Sequence, residues 1–459
     1  MTVIGHVEFV NQREIVGWMF DPQRRVSPPL LVLIDGAVFA EITPAIARED
    51  LRPVTATDGS HGFRVALGPA RLAAGVHHIE VRLLESGALV PNGVHALECL
   101  PAAGSSPTGT ATGVDNPLPG VPWVESPFFE RLFAAADAET RRIARDLHRD
   151  GVAVFDFAER DFDRIAADIR LGLDDRFDWA YWRRHGHAAG DGMRIEDAWK
   201  FNPAVHALAV NPALLELLAA LYGRRAWPFQ TLNFPVGTQQ HFHSDSVHFS
   251  SVPERFMCGV WVALEDVDAD SGPLVYYPGT HRWPVYTNEH FGLCVAESEQ
   301  PLTQAMYEGA WRELVQASGI APRHFQPRKG QALIWAANLL HGGAAQVDPG
   351  RTRWSQVTHY YFDDCAYYTP MRSDPVYGSI WFREPVDIGT GKVMHGSYAG
   401  RPVPPAFVAS TRPRARGLPA GFDAQHYLAA NPDLKAGGVS AEEHWLSYGR
   451  FEGRRIKPA

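Results

Sequence analysis

The stretch QQHFHSDSVHF, residues 239–249, carries three histidines and an aspartate within eleven residues that alternate polar and apolar like an extended strand. On a strand, side chains two apart share a face, so the triplet His243-Ser244-Asp245 predicts an imidazole and a carboxylate pointing the same way. Two such groups begin a metal grip. Non-haem Fe(II) oxygenases complete it with a second histidine and leave the remaining coordination positions open. That histidine is expected downstream on a neighbouring strand, and His341 in KGQALIWAANLLHGGAA, residues 329–345, meets the requirement. An apolar run leads into it, and two glycines follow that permit close backbone approach.

Outward from this stretch the period-two pattern continues. From about residue 228 to 362 the runs FQTLNFPVG, FMCGVWVAL, GPLVYYPG, QALIWAA and WSQVTHYYF read as strands, with a helical insert near residues 300–317. Before them, residues 128–151 and NPALLELLAALYG (211–223) repeat apolar residues at three-to-four spacing, the second with Asn211 as N-cap and Pro212 at the first helical position. Helices followed by many antiparallel strands predict an α+β, mainly β unit on a jelly roll with flanking helices.

An oxygenase of this type also needs an anchor for the far carboxylate of its keto-acid co-substrate. Arginine supplies the planar fork that lysine lacks. Arg353 opens the last strand, and Arg351 is its rival within RTR.

LNFPVGTQQHFHSDSVHF, CGVWVALEDVDADSGPLVYYPGTHRWP, KGQALIWAANLLHGG and RTRWSQVTHYYF together resemble the phytanoyl-CoA dioxygenase family of Fe(II)/2-oxoglutarate-dependent oxygenases, over residues 121 to about 390. The resemblance implies a double-stranded β-helix, with Fe(II), 2-oxoglutarate and dioxygen as cofactors and co-substrates. It implies His243, Asp245 and His341 as iron ligands, Arg353 as the 2-oxoglutarate anchor and Trp261 as a wall of the co-substrate pocket. Thr231, Asn233 and Gln240 are further candidates for that wall, and Lys200 or Gln230 for substrate contact. Because position 245 keeps its carboxylate, hydroxylation is expected rather than halogenation. On an unbroken strand His248 has the wrong parity to face the metal; His241 and His248 are assigned structural or substrate-facing roles, and His281 and His359 ordinary polar or supporting ones. The run Glu265-Asp266-Val267-Asp268-Ala269-Asp270 lacks the glycine and distal glutamate of a calcium loop and reads as a solvated loop.

The rest of the chain falls into segments. Residues 1–100 read as a small β-sandwich, 101–120 as a Pro/Gly/Ser/Thr-rich linker, 121–410 as the oxygenase domain, 411–420 as a basic spacer and 421–459 as a short helical motif. The first and last resemble accessory modules of bacterial glycosyltransferase and polysaccharide-assembly proteins. That likeness raises a glycan- or lipid-linked substrate, in cell-surface polysaccharide or secondary metabolism, as an expectation.

The chain's 459 residues are 45% hydrophobic and 21% charged with a net charge of -9, which leaves no basic field for nucleic acid. Cys99, Cys258, Cys294 and Cys365 show no paired spacing, and the N-terminal residues show no leader pattern, so a cytoplasmic protein without a membrane span is expected. Two rival readings remain at this level: a catalytically silent glycan-binding or scaffold protein, and a zinc hydrolase, the latter disfavoured because no general base stands beside the ligands.

Overall fold

The computed structural model describes residues 3–458 except 12–13, 68–71, 73–74, 100–115, 187–192, 296–301, 413–416, 432–433, 435–439 and 451–453. Most of the predicted 101–120 linker therefore lies outside the described residues. The chain divides into two units, residues 1–107 and 108–459.

The first unit holds two four-stranded antiparallel sheets. One runs in the order Ile4–Val10, Glu14–Phe20, Ser60–Ala66, Ile46–Ala47; the other in the order Ala37–Ile42, Leu30–Ile34, Gly75–Leu83, Leu89–Cys99. Leu30, Val32 and Ile34 alternate inward and meet Ile15, Met19, Phe63, Ile79 and Val81 in one apolar core. Trp18 lies on the opposite face of its strand from Ile15 and Met19, half-buried and edge-on to His6 at 6.0 Å.

In the second unit, a six-stranded antiparallel sheet runs Ile195–Glu196, Ala226–Phe234, Ser355–Phe362, Met257–Ala263, Gln331–Ala336, Val152–Asp156. A three-stranded sheet, Arg323–Phe325, Leu274–Tyr276, His341–Gly343, packs on it. Phe234, Trp261, Leu333, Trp335 and Val357 of the larger sheet meet Leu274 and Phe325 of the smaller in a shared apolar cluster. The other face of the larger sheet is covered by helices, and Met257–Ala263 is buried at every position, as a strand packed on both faces must be.

The helix Pro212–Tyr222 begins as its sequence predicts: the Asn211 side chain accepts from Leu214 N at 3.0 Å, and Pro212 occupies the first turn. Together with Pro203–Ala209 it forms a stretch with the length and hydropathy of a membrane span, Pro203–Tyr222. The chain breaks at Val210-Asn211, however, and Val205, Leu208, Leu214, Leu218 and Leu221 pack into the core, so the apolarity has a partner inside the fold. The helical insert appears as Ala305–Ser318. At the C-terminal end, Trp445 packs with Phe422 and Tyr427 around a small core of its own.

Candidate metal centre

The HFHSD run is not a strand. After Ala226–Phe234 the chain turns, meets the smaller sheet at an antiparallel bridge between His243 and His341, with Gly343 N also donating to the Gln240 carbonyl at 3.0 Å, and enters a 3-10 turn at Asp245–Val247. The bridge exchanges both backbone hydrogen bonds, His243 N to His341 O at 2.9 Å and the reverse at 3.0 Å. It thereby fixes the two imidazoles side by side, with centroids 4.6 Å apart. Gly342 sits where any Cβ would lie 2.7 Å from the Gln240 carbonyl oxygen, so the close approach of the two segments requires glycine. Ser244 holds the turn by accepting from Ser246 N and donating to Asn338 Oδ1 at 3.0 Å.

Both histidines have a set tautomer. His243 Nδ1 lies 3.0 Å from the His241 carbonyl and His341 Nδ1 lies 3.0 Å from the Leu339 carbonyl. Since carbonyls only accept, each Nδ1 carries the hydrogen and each Nε2 keeps its lone pair. Those lone pairs face the Asp245 carboxylate: His243 Nε2 is 3.6 Å from Oδ1 and His341 Nε2 is 3.8 Å from Oδ2. One donor atom from each of the three lies within 4.8 Å of the others, and all three residues are buried. Ligands bound about 2.1 Å from an ion at right angles stand about 3 Å apart, so a small inward movement completes the grip. The donor set fits a divalent first-row metal with open positions.

Electrostatics agree with this arrangement. Burial opposes ionisation of Asp245, but the surrounding His341, His243 and His359 rings outweigh it and hold the carboxyl well below the usual range. Burial pushes His341 down to about 4. A carboxylate and neutral imidazoles are the forms that bind metal.

A cavity of about 260 Å³ opens on the triad, and Trp261, Leu274, Val357 and Arg353 are among the residues that line it. Arg353 is 2% exposed, donates from Nη1 to the Gly272 carbonyl at 2.9 Å, and stands 5.7 Å from the centre of the Trp261 ring. Its Nε is buried without a partner, and burial lowers its pKa to about 10, which still leaves a cation. A buried guanidinium with a spare donor facing a cavity calls for an anion. Arg351 points elsewhere, half-exposed and ion-paired with Asp268. The acidic run is therefore not simply solvated: Asp268 also caps the turn Ala269–Ser271, Asp266 accepts from Lys329 N and Glu265 from Trp354 N.

Three expectations require correction. Thr231 and Asn233 do not line the cavity; Gln230, Leu232 and Phe234 do, together with Gln240. A register shift between Pro228 and Gln230, where Ala226–Phe234 pairs with Ser355–Phe362, accompanies this choice of face. Asn233 reaches across the sheet toward Gln356, which in turn donates to the Val205 carbonyl on the helix side. His248 lines the cavity, because the 3-10 turn breaks strand parity, and its Nε2 lies 3.1 Å from Gln304 Oε1. Lys200 is exposed and paired with Asp197, outside the cavity.

Sequence reasoning overlooked Trp335, whose indole Nε1 donates to Asp245 Oδ2 at 2.8 Å, and gave no cavity role to Glu196, Phe249 or Gln304. His359 is closer than a supporting role implies: its Nε2 is 3.7 Å from Asp245 Oδ2 while Nδ1 donates to Gln230 Oε1 at 2.8 Å. Strand parity from Asp245 gives no hint of either.

Burial also lowers His248 and His281 to about 4 each. The unfolded chain takes up these protons near pH 6.5, the folded chain only near 4, so protons favour the unfolded state as pH falls between those values. Stability is expected to drop between pH 6.5 and 5 by roughly 2 kcal/mol per histidine. Urea midpoints measured at pH 7, 6 and 5 check this; a flat series would refute it.

Residues 127–353, just under half of the chain, match the family model described as Phytanoyl-CoA dioxygenase (PhyH). A probable phytanoyl-CoA dioxygenase of Caenorhabditis elegans is 27% identical over 133 residues, 28% of this chain and 39% of its own length. The peroxisomal phytanoyl-CoA dioxygenase of Rattus norvegicus is 27% identical over 132 residues, 28% of this chain and 36% of its own length. The alignments thus span well under half of these relatives. Among solved structures, the non-heme alpha ketoglutarate dependent carbocyclase SnoK from nogalamycin biosynthesis aligns with a TM-score of 0.41 at 15% identity, covering 57% of this chain and 95% of its own. The buried His243-Asp245-His341 cluster lies within the matched residues.

Proposed function

We propose, from the premise that residues 127–353 match the phytanoyl-CoA dioxygenase family, that the protein is an Fe(II)- and 2-oxoglutarate-dependent dioxygenase that hydroxylates a small molecule. In this reading the two packed sheets are a double-stranded β-helix. The observation that carries it is convergence: His243, Asp245, His341 and the buried, under-partnered Arg353 line one cavity although they come from separate parts of the fold.

When bound, iron with 2-oxoglutarate supplies oxidation of a substrate C–H bond by dioxygen, with conversion of the co-substrate to succinate and CO2. The chain's own residues do the rest. His243 and His341 donate from Nδ1 to carbonyls and present Nε2 to the site, and Asp245 presents an ionised carboxylate. Arg353 takes the distal carboxylate of the co-substrate, and Trp261 braces the guanidinium. Leu274 and Val357 shed water from the co-substrate's methylene groups. Glu196, Gln230, His248, Phe249 and Gln304, which also line the cavity, offer a mixed polar and aromatic surface to the prime substrate.

The likeness of the flanking segments to glycan-assembly modules motivates a glycan- or lipid-linked substrate. A cytoplasmic setting belongs to the same reading, motivated by the buried thiols of Cys258 and Cys365, which form no disulfide.

Purified protein given Fe(II) and 2-oxoglutarate without oxygen is expected to develop the weak visible charge-transfer band of the iron–keto-acid chelate. Failure of well-folded protein to develop it, with no succinate formed in air, would leave the binding or scaffold reading in its place.

A further inference from the structure

Trp335 stands where three constraints meet. Its strand, Gln331–Ala336, pairs it directly with Gly259 on Met257–Ala263. A Cβ at Gly259 would lie 2.1 Å from Trp335 Cζ2 and 2.2 Å from Cε2, so the indole lies across the space that a side chain would fill. From that cradle its ring sits 4.6 Å from the His341 ring and its Nε1–H donates to Asp245 Oδ2 at 2.8 Å. The residue is 2% exposed, so this hydrogen bond is shielded from bulk water.

We infer that Trp335 is a positioning residue that fixes the rotation of the Asp245 carboxylate, so that Oδ1 alone is offered to the metal. The inference rests on the metal-centre reading and concerns how the centre keeps its open positions. Oδ1 stands 3.6 Å from His243 Nε2 and Oδ2 stands 3.8 Å from His341 Nε2, so the indole hydrogen bond at Oδ2 is what distinguishes the two oxygens and leaves Oδ1 with all its lone pairs. Two imidazoles and one carboxylate oxygen leave three positions of an octahedron for co-substrates. A carboxylate free to turn both oxygens inward would leave two, one too few for a bidentate keto acid and a further small ligand. Gly259 belongs to the same device, since it makes the room in which the indole reaches the carboxylate.

Co(II) alone is the probe, titrated into the full chain while its visible bands are followed, since their intensity reports coordination number. Wild type is expected to bind and Asp245→Ala to lose binding. Trp335→Phe keeps most of the ring and removes the N–H donor; it is expected to bind Co(II) about ten-fold or more weakly, with altered band intensity, in line with the effect of removing a hydrogen bond to a metal ligand. Gly259→Ala keeps the N–H but displaces the ring, and is expected to weaken binding likewise; it decides the matter if Trp335→Phe fails to fold. A purely structural role would lower the melting temperature and leave Co(II) affinity and bands as in wild type, which would overturn the inference. Wild type that binds no Co(II) would overturn the metal-centre reading and this inference with it, whereas unchanged binding in both variants beside a binding-dead Asp245→Ala overturns this inference alone.

Discussion

Asp245→Ala is expected to abolish metal binding and reduce succinate formation by roughly a thousand-fold or more. The carboxylate is the charged member of a buried set, and an imidazole that binds metal through its lone pair brings no charge to offset a divalent ion. Removing it also strands the Trp335 N–H, which loses its acceptor at 2.8 Å in a dry site. The apo variant should therefore lose some stability, but far less than it loses affinity, because the negative charge of Asp245 is itself costly to bury. Asp245→Glu separates charge from position: it keeps the anion but extends the side chain by one methylene, and should recover only part of the affinity. Metal titration followed by succinate assay reads both effects. An alanine variant that still binds iron and forms succinate would remove the triad from the mechanism.

Arg353→Ala is expected to raise the KM for 2-oxoglutarate by about a hundred-fold or more, while metal binding stays close to wild type. A buried, bidentate guanidinium–carboxylate pair is worth about 3–5 kcal/mol against loss of one partner, and about 1.4 kcal/mol corresponds to a factor of ten. Arg353 is also buried beside Trp261, so the alanine leaves a void in the cavity wall and the Gly272 carbonyl without its donor. Arg353→Lys controls for that. It keeps a cation and a side chain of similar length but cannot form the fork, so a large residual defect in Arg353→Lys isolates bidentate recognition. Arg351→Ala should change KM little, since its partner is Asp268 at the surface. Comparable KM values for the Arg351 and Arg353 variants would refute the assignment. Metal affinity that fell with KM in Arg353→Ala would instead point to collapse of the cavity wall.

Much of this centre can be read directly from the chain. His-x-Asp, a distant histidine after an apolar strand and an arginine about a dozen residues further on are local patterns, and residue type and order are enough to find them. The helix Pro212–Tyr222, with its Asn211 cap, and the N-terminal sheets were legible for the same reason: capping chemistry and inward alternation act between near neighbours. The arguments that failed were those that carried parity across an irregularity. His243 and Asp245 converge although no strand holds them, because an antiparallel bridge to His341 and a 3-10 turn replace the expected alternation. The same turn brings His248 to the cavity, and a register shift near Pro228 accompanies the facing of Gln230, Leu232 and Phe234 inward in place of Thr231 and Asn233.

By itself, then, the sequence supplied the candidate residue types of the metal grip and the two candidate arginines, since each depends on residue type and short spacing. Tertiary structure decided which arginine faces the cavity, which side of Ala226–Phe234 lines it, and that Trp335 holds Asp245. Those choices rest on strand register and on contacts between residues as far apart as 245 and 335, where the partner of each side chain is set by how two distant segments pack.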